Sequence, residues 1–189
     1  MTQLTSFEHQ ILIAMPSLDN SWFEKTVIYI VEDNEHGSMG LVLNLPHKLD
    51  VEQLLSHFNI NKQITPQIAQ QRVLMGGPVD MEHGFLLHKG EAIWQKSLSL
   101  KDGLAMTVSD DLLQAIGQNK GPDKFIAALG FAGWEKGQLA KEIQENSWLS
   151  IPYNESLIFD VKIDEMWLVS LQTLGISPEF LSMEAGYDC

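Results

Sequence analysis

A chain of 189 residues with 12 Lys and Arg against 25 Asp and Glu carries a formal net charge of −13, which opposes nucleic acid and anionic membrane surfaces, both of which are bound largely through Lys and Arg. The single cysteine, Cys189, excludes an intrachain disulfide and a cysteine-based zinc site and fits a reducing compartment. No run approaches ~18 consecutive apolar residues and the N-terminus lacks the basic and apolar regions of a secretory signal, so a soluble, cytoplasmic protein with one domain over residues 1–189 is expected.

Gln10 to Met15 is an apolar run stopped by Pro16, the pattern of a buried strand, and Ser17 to Ser21 is a polar loop carrying Asp19. Thr26 to Val31, β-branched and aromatic, predicts a second strand. After the acidic turn from Glu32 to Gly37, Met39 to Leu43 predicts the strand that pairs back as a hairpin. Asp50 and Gln53 stand at capping-box spacing for a helix to about Phe58, with Val51, Leu54, Leu55 and Phe58 on one face. Asn59 to Gln71 is polar and predicts a mobile connection. Strands are expected at Arg72 to Met75, ending at Gly76, Gly77 and Pro78, and at Leu104 to Val108. Gly84 to His88 and Ala92 to Leu100 are expected to pair around the Lys89-Gly90 turn. Ser109 is placed to cap a helix with Asp110 and Asp111 in its first turn, ended by Gly117 and Gly121-Pro122.

The stretch from Leu129 to Leu149 organises the rest. The apolar run from Phe125 to Ala132 enters a corner with Gly130, Gly133 and Gly137, a short amphipathic segment leaves it, and a second apolar run begins at Trp148. This is strand, glycine-rich corner, helix, strand. Glycine permits positive φ or the close approach of another backbone, so the corner is expected to pack against something. Ile151-Pro152 opens a further connection, and Leu157 to Phe159 is a brief apolar run. Asp164 begins a last helix with Trp167, Leu168, Leu171 and Leu174 inward and Gly175 at its stop; the tail from Ser177 is expected to be loosely attached. Strands and helices mixed without regular βαβ alternation predict an α+β fold with a bent, mostly antiparallel sheet.

No nucleotide signature is complete, since Gly-Lys-Ser/Thr is absent and no two glycines stand at Gly-x-Gly spacing. Gly76-Gly77-Pro78-Val79 is either a structural turn or an anion-binding concavity of backbone amides. Ser38 fails as a hydrolase nucleophile because His36 stands where the elbow needs glycine and the turn leads into a strand. The six histidines do not pair at metal spacing, and the acidic turn lacks the ligands of a calcium loop, so no metal is expected. After the corner, Leu139 and Ile143 share one helix face and Gln138, Glu142 and Asn146 another. A cleft facing that polar stripe, lined by Trp134 and the Gly76-Gly77 turn, is the leading candidate site. The competing reading has the same groups capping and cross-linking loops. Trp22, Trp94, Trp148 and Trp167 read as core aromatics.

These segments together resemble the AlgH/YqgE family of bacterial proteins of unknown function. The resemblance rests on Leu12 to Pro16 with Asp19 and Phe23, Gly37 to Asn44, Met75-Gly76-Gly77-Pro78, Gly84 to His88, Thr107 with Ser109 and Asp111, Leu129 to Trp134, Gly137-Gln138-Leu139, Glu142, Asn146, Trp148-Leu149, and Trp167 with Gly175-Ile176. It covers about Phe7 to Gly186, and the order and spacing of the blocks make it specific. It implies an α+β domain whose bifurcated sheet forms a pseudo-barrel with helices packed on it, and no established activity, although members are sometimes labelled transcriptional regulators. Ala140 stands where the family usually has Glu, Asp33 replaces a common His, and Tyr187 sits near a common C-terminal His, which weakens any acid–base or metal scheme built there.

No triplet of nucleophile, base and orienter stands at plausible spacing. The expected function is therefore non-catalytic: binding or regulation through a protein partner or small ligand, without cofactor, membrane or direct nucleic-acid contact. The expected contacts are Asn44, Gly76, Gly77, Pro78, Trp134, Gln138 and Glu142. An alternative is a hydrolase or transferase acting on a phosphorylated small molecule, with the Gly76-Gly77 amides and Glu142 or Asp19 as base. A third is indirect transcriptional control through a partner.

Overall fold

The computed structural model describes residues 5–184; the readings of Cys189 and Tyr187 lie outside them. In chain order the strands are β1 (Gln10–Ala14), β2 (Val27–Asn34), β3 (Gly37–Val42), β4 (Pro46–Asp50), β5 (Arg72–Met75), β6 (Val79–Lys89), β7 (Ser97–Ser99), β8 (Leu104–Thr107), β9 (Phe125–Trp134) and β10 (Trp148–Pro152). The helices are α1 (Val51–His57), α2 (Pro66–Ala69), α3 (Asp110–Gly117), α4 (Gln138–Gln144), α5 (Glu155–Phe159), α6 (Met166–Thr173) and α7 (Pro178–Glu184). The class is α+β, and every strand pair among the described residues is antiparallel except β5 with β9. No helix among them is long and apolar enough to cross a membrane. The chain divides into two compact units, one of residues 1–45 and 132–189 and one of residues 46–131.

In the first unit β1 lies between β10 and β2, β2 forms a hairpin with β3, and β3 pairs with the last residues of β9, from Ser38 opposite Trp134 to Gly40 opposite Ala132. Ile11, Leu12, Ile13 and Val27 to Val31 are all buried. A strand covered on both faces reads as a continuous apolar run rather than an alternation, which is why these segments stand out in the sequence. Leu12, Ile28, Ile30, Val42 and Ala132 join Leu139 of α4 and the rings of Trp134 and Trp148 in one core cluster. The Trp167 indole N–H donates to the Ala14 carbonyl at 3.0 Å.

Three expectations for this unit are corrected. Trp22 is 37% exposed rather than core. The last long helix begins at Met166, after a 3₁₀ turn over Ile163–Glu165, and buries Met166, Ser170 and Leu171. Leu171 is buried as expected, whereas Leu168 and Leu174 are exposed. The tail from Ser177 forms α7, whose Leu181 is buried.

In the second unit β6 lies between β9 and β8, β7 pairs with β8, and β5 runs between β4 and β9. α1 and α3 cover a core that includes Val51, Leu55, Val73, Leu86, Leu112, Ile116 and Phe125. The capping box is formed: the Gln53 amide donates to Asp50 Oδ1 at 2.8 Å, and the Asp50 amide donates to Gln53 Oε1 at 3.0 Å. Ser109 does not cap α3 through its side chain. Its hydroxyl donates to Asp111 Oδ1, and Asp111 Oδ2 accepts from the Gln95 amide. These hydrogen bonds outweigh the upward push of desolvation and hold the Asp111 carboxyl below its ordinary pKa. The expected connection over Asn59 to Gln71 contains α2, capped by Thr65. The strand expected over Ala92 to Leu100 shrinks to Ser97–Ser99 and pairs with β8, not β6, because Trp94 packs against the core. The half-buried strand β4 carries no apolar alternation that a sequence reading could use.

His88 of β6 is 1% exposed. Its Nδ1 lies 3.1 Å from the Lys89 carbonyl, an atom that only accepts, so Nδ1 carries the proton. Nε2 accepts from Thr107 Oγ1 at 2.8 Å, leaving that oxygen to accept from Ser97 Oγ at 2.7 Å. Burial pushes the imidazole pKa below its ordinary 6.5, and the Lys89 carbonyl offsets this only in part. The unfolded chain therefore takes up a proton that the folded chain refuses. This contribution to stability is present above about pH 6.5 and is lost as the pH falls through the folded value. Urea unfolding should show stability declining from pH 7 to about 5.5, with a shallower decline in His88→Asn; equal slopes would contradict the assignment.

Candidate functional site

Of the polar stripe anticipated after the corner, Gln138 and Glu142 lie on α4, the first exposed and the second half-buried, whereas Asn146 falls beyond the end of the helix, exposed and at φ +60°. β9 ends at Trp134, Gly137 holds φ +78° before α4, and one helix later β10 begins at Trp148. Both indoles converge on one carboxylate. Glu142 Oε2 accepts from Trp134 Nε1 and from Trp148 Nε1, each at 2.9 Å, and Oε1 accepts from Gln138 Nε2 at 3.0 Å. Gln138 Oε1 in turn accepts the Glu135 amide at 2.9 Å. The rings stand edge to face with centroids 6.1 Å apart, and Phe23 meets Trp148 in the same manner at 5.8 Å. Glu142 is thus a clasp that closes a strand–helix–strand unit, with both oxygens occupied. Trp148, expected as a core aromatic, is the second donor to this carboxylate; a carboxylate on a helix between two strand tryptophans is the sequence signal for it.

Trp134 is 7% exposed, and its backbone is held across β3 by Ser38. It lines an open concavity of about 310 Å³ with Glu32, Asn34, His36 and Ser38 from the β2–β3 hairpin. Ser38 Oγ donates to Asp33 Oδ1 at 2.6 Å, and Asp33 Oδ2 accepts the Phe7 amide. That is the arrangement of a tightened hairpin, as the failed nucleophile motif implied.

Asn44 lies past β3 and cross-links backbone: Oδ1 accepts the Val27 amide and Nδ2 donates to the Lys25 carbonyl, both at 2.9 Å. Asp19 is an exposed carboxylate after a 3₁₀ turn. In the second unit Gly76 and Gly77 are buried and Pro78 is exposed. The Gly76 amide donates to the Leu129 carbonyl at 2.8 Å, so it is already committed where an anion would need it. Gly130 lies inside β9 at φ +78°, and a Cβ there would stand 2.4 Å from the Gly77 carbonyl oxygen. This answers what the glycine corner packs against: the 76–77 turn presses on the backbone of β9. Among the described residues no group of three or more His, Cys, Asp or Glu is placed to hold a metal.

Comparison with known proteins agrees over nearly the whole chain. A family model described as AlgH-like, DUF179, matches residues 11–179. A UPF0301 protein of Hydrogenovibrio crunogenus is 62% identical over 188 residues, covering 100% of both chains. One from Shewanella oneidensis is 44% identical over 97% of this chain and 100% of its own. The solution structure of the AlgH protein from Pseudomonas aeruginosa superposes with a TM-score of 0.77 at 36% identity, covering 96% of this chain and 97% of that one. A crystal structure from Corynebacterium diphtheriae shares the fold, with a TM-score of 0.73 at 20% identity over 96% of this chain and 94% of its own. With strand order, hairpin, glycine contacts and tryptophan clasp all carried by the matched residues, the chain belongs to the AlgH-like UPF0301 family.

Proposed function

We propose that the chain is a non-catalytic binding or regulatory protein of the cytoplasm, which recognises a protein partner or small ligand at the concavity of the first unit. The observation that carries this reading is the engagement of the Glu142 carboxylate by two indoles and by Gln138. Trp134, one of the two tryptophans that donate to it, also lines an open, polar hollow. Three hydrogen bonds fix the Glu142 carboxylate between the indoles and Gln138, a positioning role that supports binding or regulation over base catalysis. Asn44 and the Gly76-Gly77-Pro78 turn act as supports of the scaffold rather than as contact groups. Any effect on transcription runs through a partner, since the charge of −13 opposes DNA.

The test is a thermal-shift screen against nucleotides, phosphorylated metabolites, common cofactors and divalent metals. A ligand at about a hundred times its Kd adds roughly 2.7 kcal/mol, or roughly 5–10 °C for a chain of this size. The shift is expected to vanish in His36→Ala and Ser38→Ala, which border the hollow. A hit undiminished by both variants would contradict the assignment.

A further inference from the structure

The second unit carries an opening of its own, in a place no motif marked. β8 pairs with β6 from Leu104 opposite Lys89 to Thr107 opposite Leu86. It then leaves through Val108 and Ser109 into α3, so the next β6 residues, Phe85 and Gly84, keep β9 on one side and lose β8 on the other. Beside that lane is an apolar pocket of about 80 Å³, walled by Leu54 and Phe58, by Leu113 of α3, and by Leu86 and Leu129 of the sheet. Gly84 keeps it open: a Cβ there would meet only Leu129 Cδ2, at 3.9 Å. Phe58 and Val108 at the rim are 44% and 45% exposed. The charged residues of the lining are Glu82 and Asp110, both exposed carboxylates, and no Lys or Arg is among them.

Volume and charge select the occupant. Pockets for drug-sized ligands hold about 300–1,000 Å³, so this one admits a single aliphatic side chain. An exposed strand edge is a template for an added segment. In an extended segment the residues two positions either side of a buried one return to the same face, and here they would meet carboxylates. We infer that this opening docks an extended protein segment that sets one bulky aliphatic side chain over Gly84, with Lys or Arg two positions away pairing with Glu82 and Asp110, and its backbone along Gly84 and Phe85. The surface lies wholly within the second unit and stands independently of the hollow in the first.

The probe is a fluorescein-labelled seven-residue peptide with leucine at its centre, lysine two positions to either side and threonine elsewhere, titrated against the full chain by anisotropy. Saturable binding is expected. It should weaken at least about tenfold when the central leucine is serine, because burial of one aliphatic side chain is worth at least a decade in affinity. The same loss is expected in Gly84→Val, which fills the pocket, and in the surface double variant Glu82→Lys with Asp110→Lys. Unchanged melting of the Gly84→Val protein separates a filled pocket from an unfolded one. Equal binding of the serine-centred peptide, undiminished binding to Gly84→Val, or no saturable binding to the parent chain overturns the proposal. So does displacement of the leucine peptide by n-octanol combined with indifference to charge reversal, which would assign the pocket to an acyl chain.

Discussion

Glu142→Ala lowers the melting temperature by roughly 4–24 °C. The substitution removes the carboxylate that accepts from two indole N–H groups, those of Trp134 and Trp148, which are 7% and 2% exposed. Leaving a buried donor unsatisfied costs about 1–3 kcal/mol, so two cost roughly 2–6, and each kcal/mol moves the midpoint by about 2–4 °C at this chain length. Glu142→Gln retains an oxygen for the indoles but sets its NH2 against the Gln138 Nε2 donor, so it should cost about 1–2 kcal/mol, less than alanine. Urea denaturation of the three proteins checks both figures, and an alanine variant as stable as the parent would show that the indoles find another partner. The same geometry makes the joint substitution of Gln138 and Glu142 a poor probe of binding, because it damages the scaffold along with the surface.

Gly130→Ala is expected to cost more, about 4 kcal/mol or above, and to reduce soluble yield. At φ +78° an L side chain is already strained by roughly 1–2 kcal/mol. The new Cβ would stand 2.4 Å from the Gly77 oxygen, 3.0 Å from the Val79 oxygen and 3.2 Å from Met81 Cα, all of them backbone atoms that move only with their strand. Gly76→Ala meets the reciprocal obstacle, with its Cβ 2.3 Å from the Gly130 oxygen. Gly84→Ala, in the neighbouring strand, has its nearest contact at 3.9 Å and should fall within about 1 kcal/mol of the parent. Denaturation midpoints of the pair decide the matter: similar losses at positions 130 and 84 would mean that the close backbone approach is not what position 130 requires.

What could be read from the sequence is what depends on neighbours along the chain. The β2–β3 hairpin, the Asp50–Gln53 capping box and the order β9, α4, β10 follow from local patterning, and each formed as expected. On α6 the expected inward residues Trp167 and Leu171 do face the protein, but Leu168 and Leu174 are exposed and Met166 and Ser170 are buried in their place. β4 and β7 went wrong because one has no apolar alternation and the other is pulled short as Trp94 enters the core. At the candidate site the residues Trp134, Gln138 and Glu142 were identified together, but their role turned on Trp148, the second indole on the same carboxylate. Gly76 and Gly130 were each marked, and their contact is fifty-four positions apart in the chain. The pocket over Gly84 arises from a missing side chain, which leaves no pattern to read.

The most direct measurement is hydrogen exchange of the two indole Nε1 protons, followed by NMR in the parent chain and in Glu142→Gln and Glu142→Ala. A clasp predicts slow exchange of both protons in the parent, slow exchange retained with glutamine, and loss of protection at both indoles together with alanine. Rapid exchange at both indoles in the folded parent would contradict this, leave the Glu142 carboxylate free for chemistry, and return weight to a catalytic reading of the same stretch.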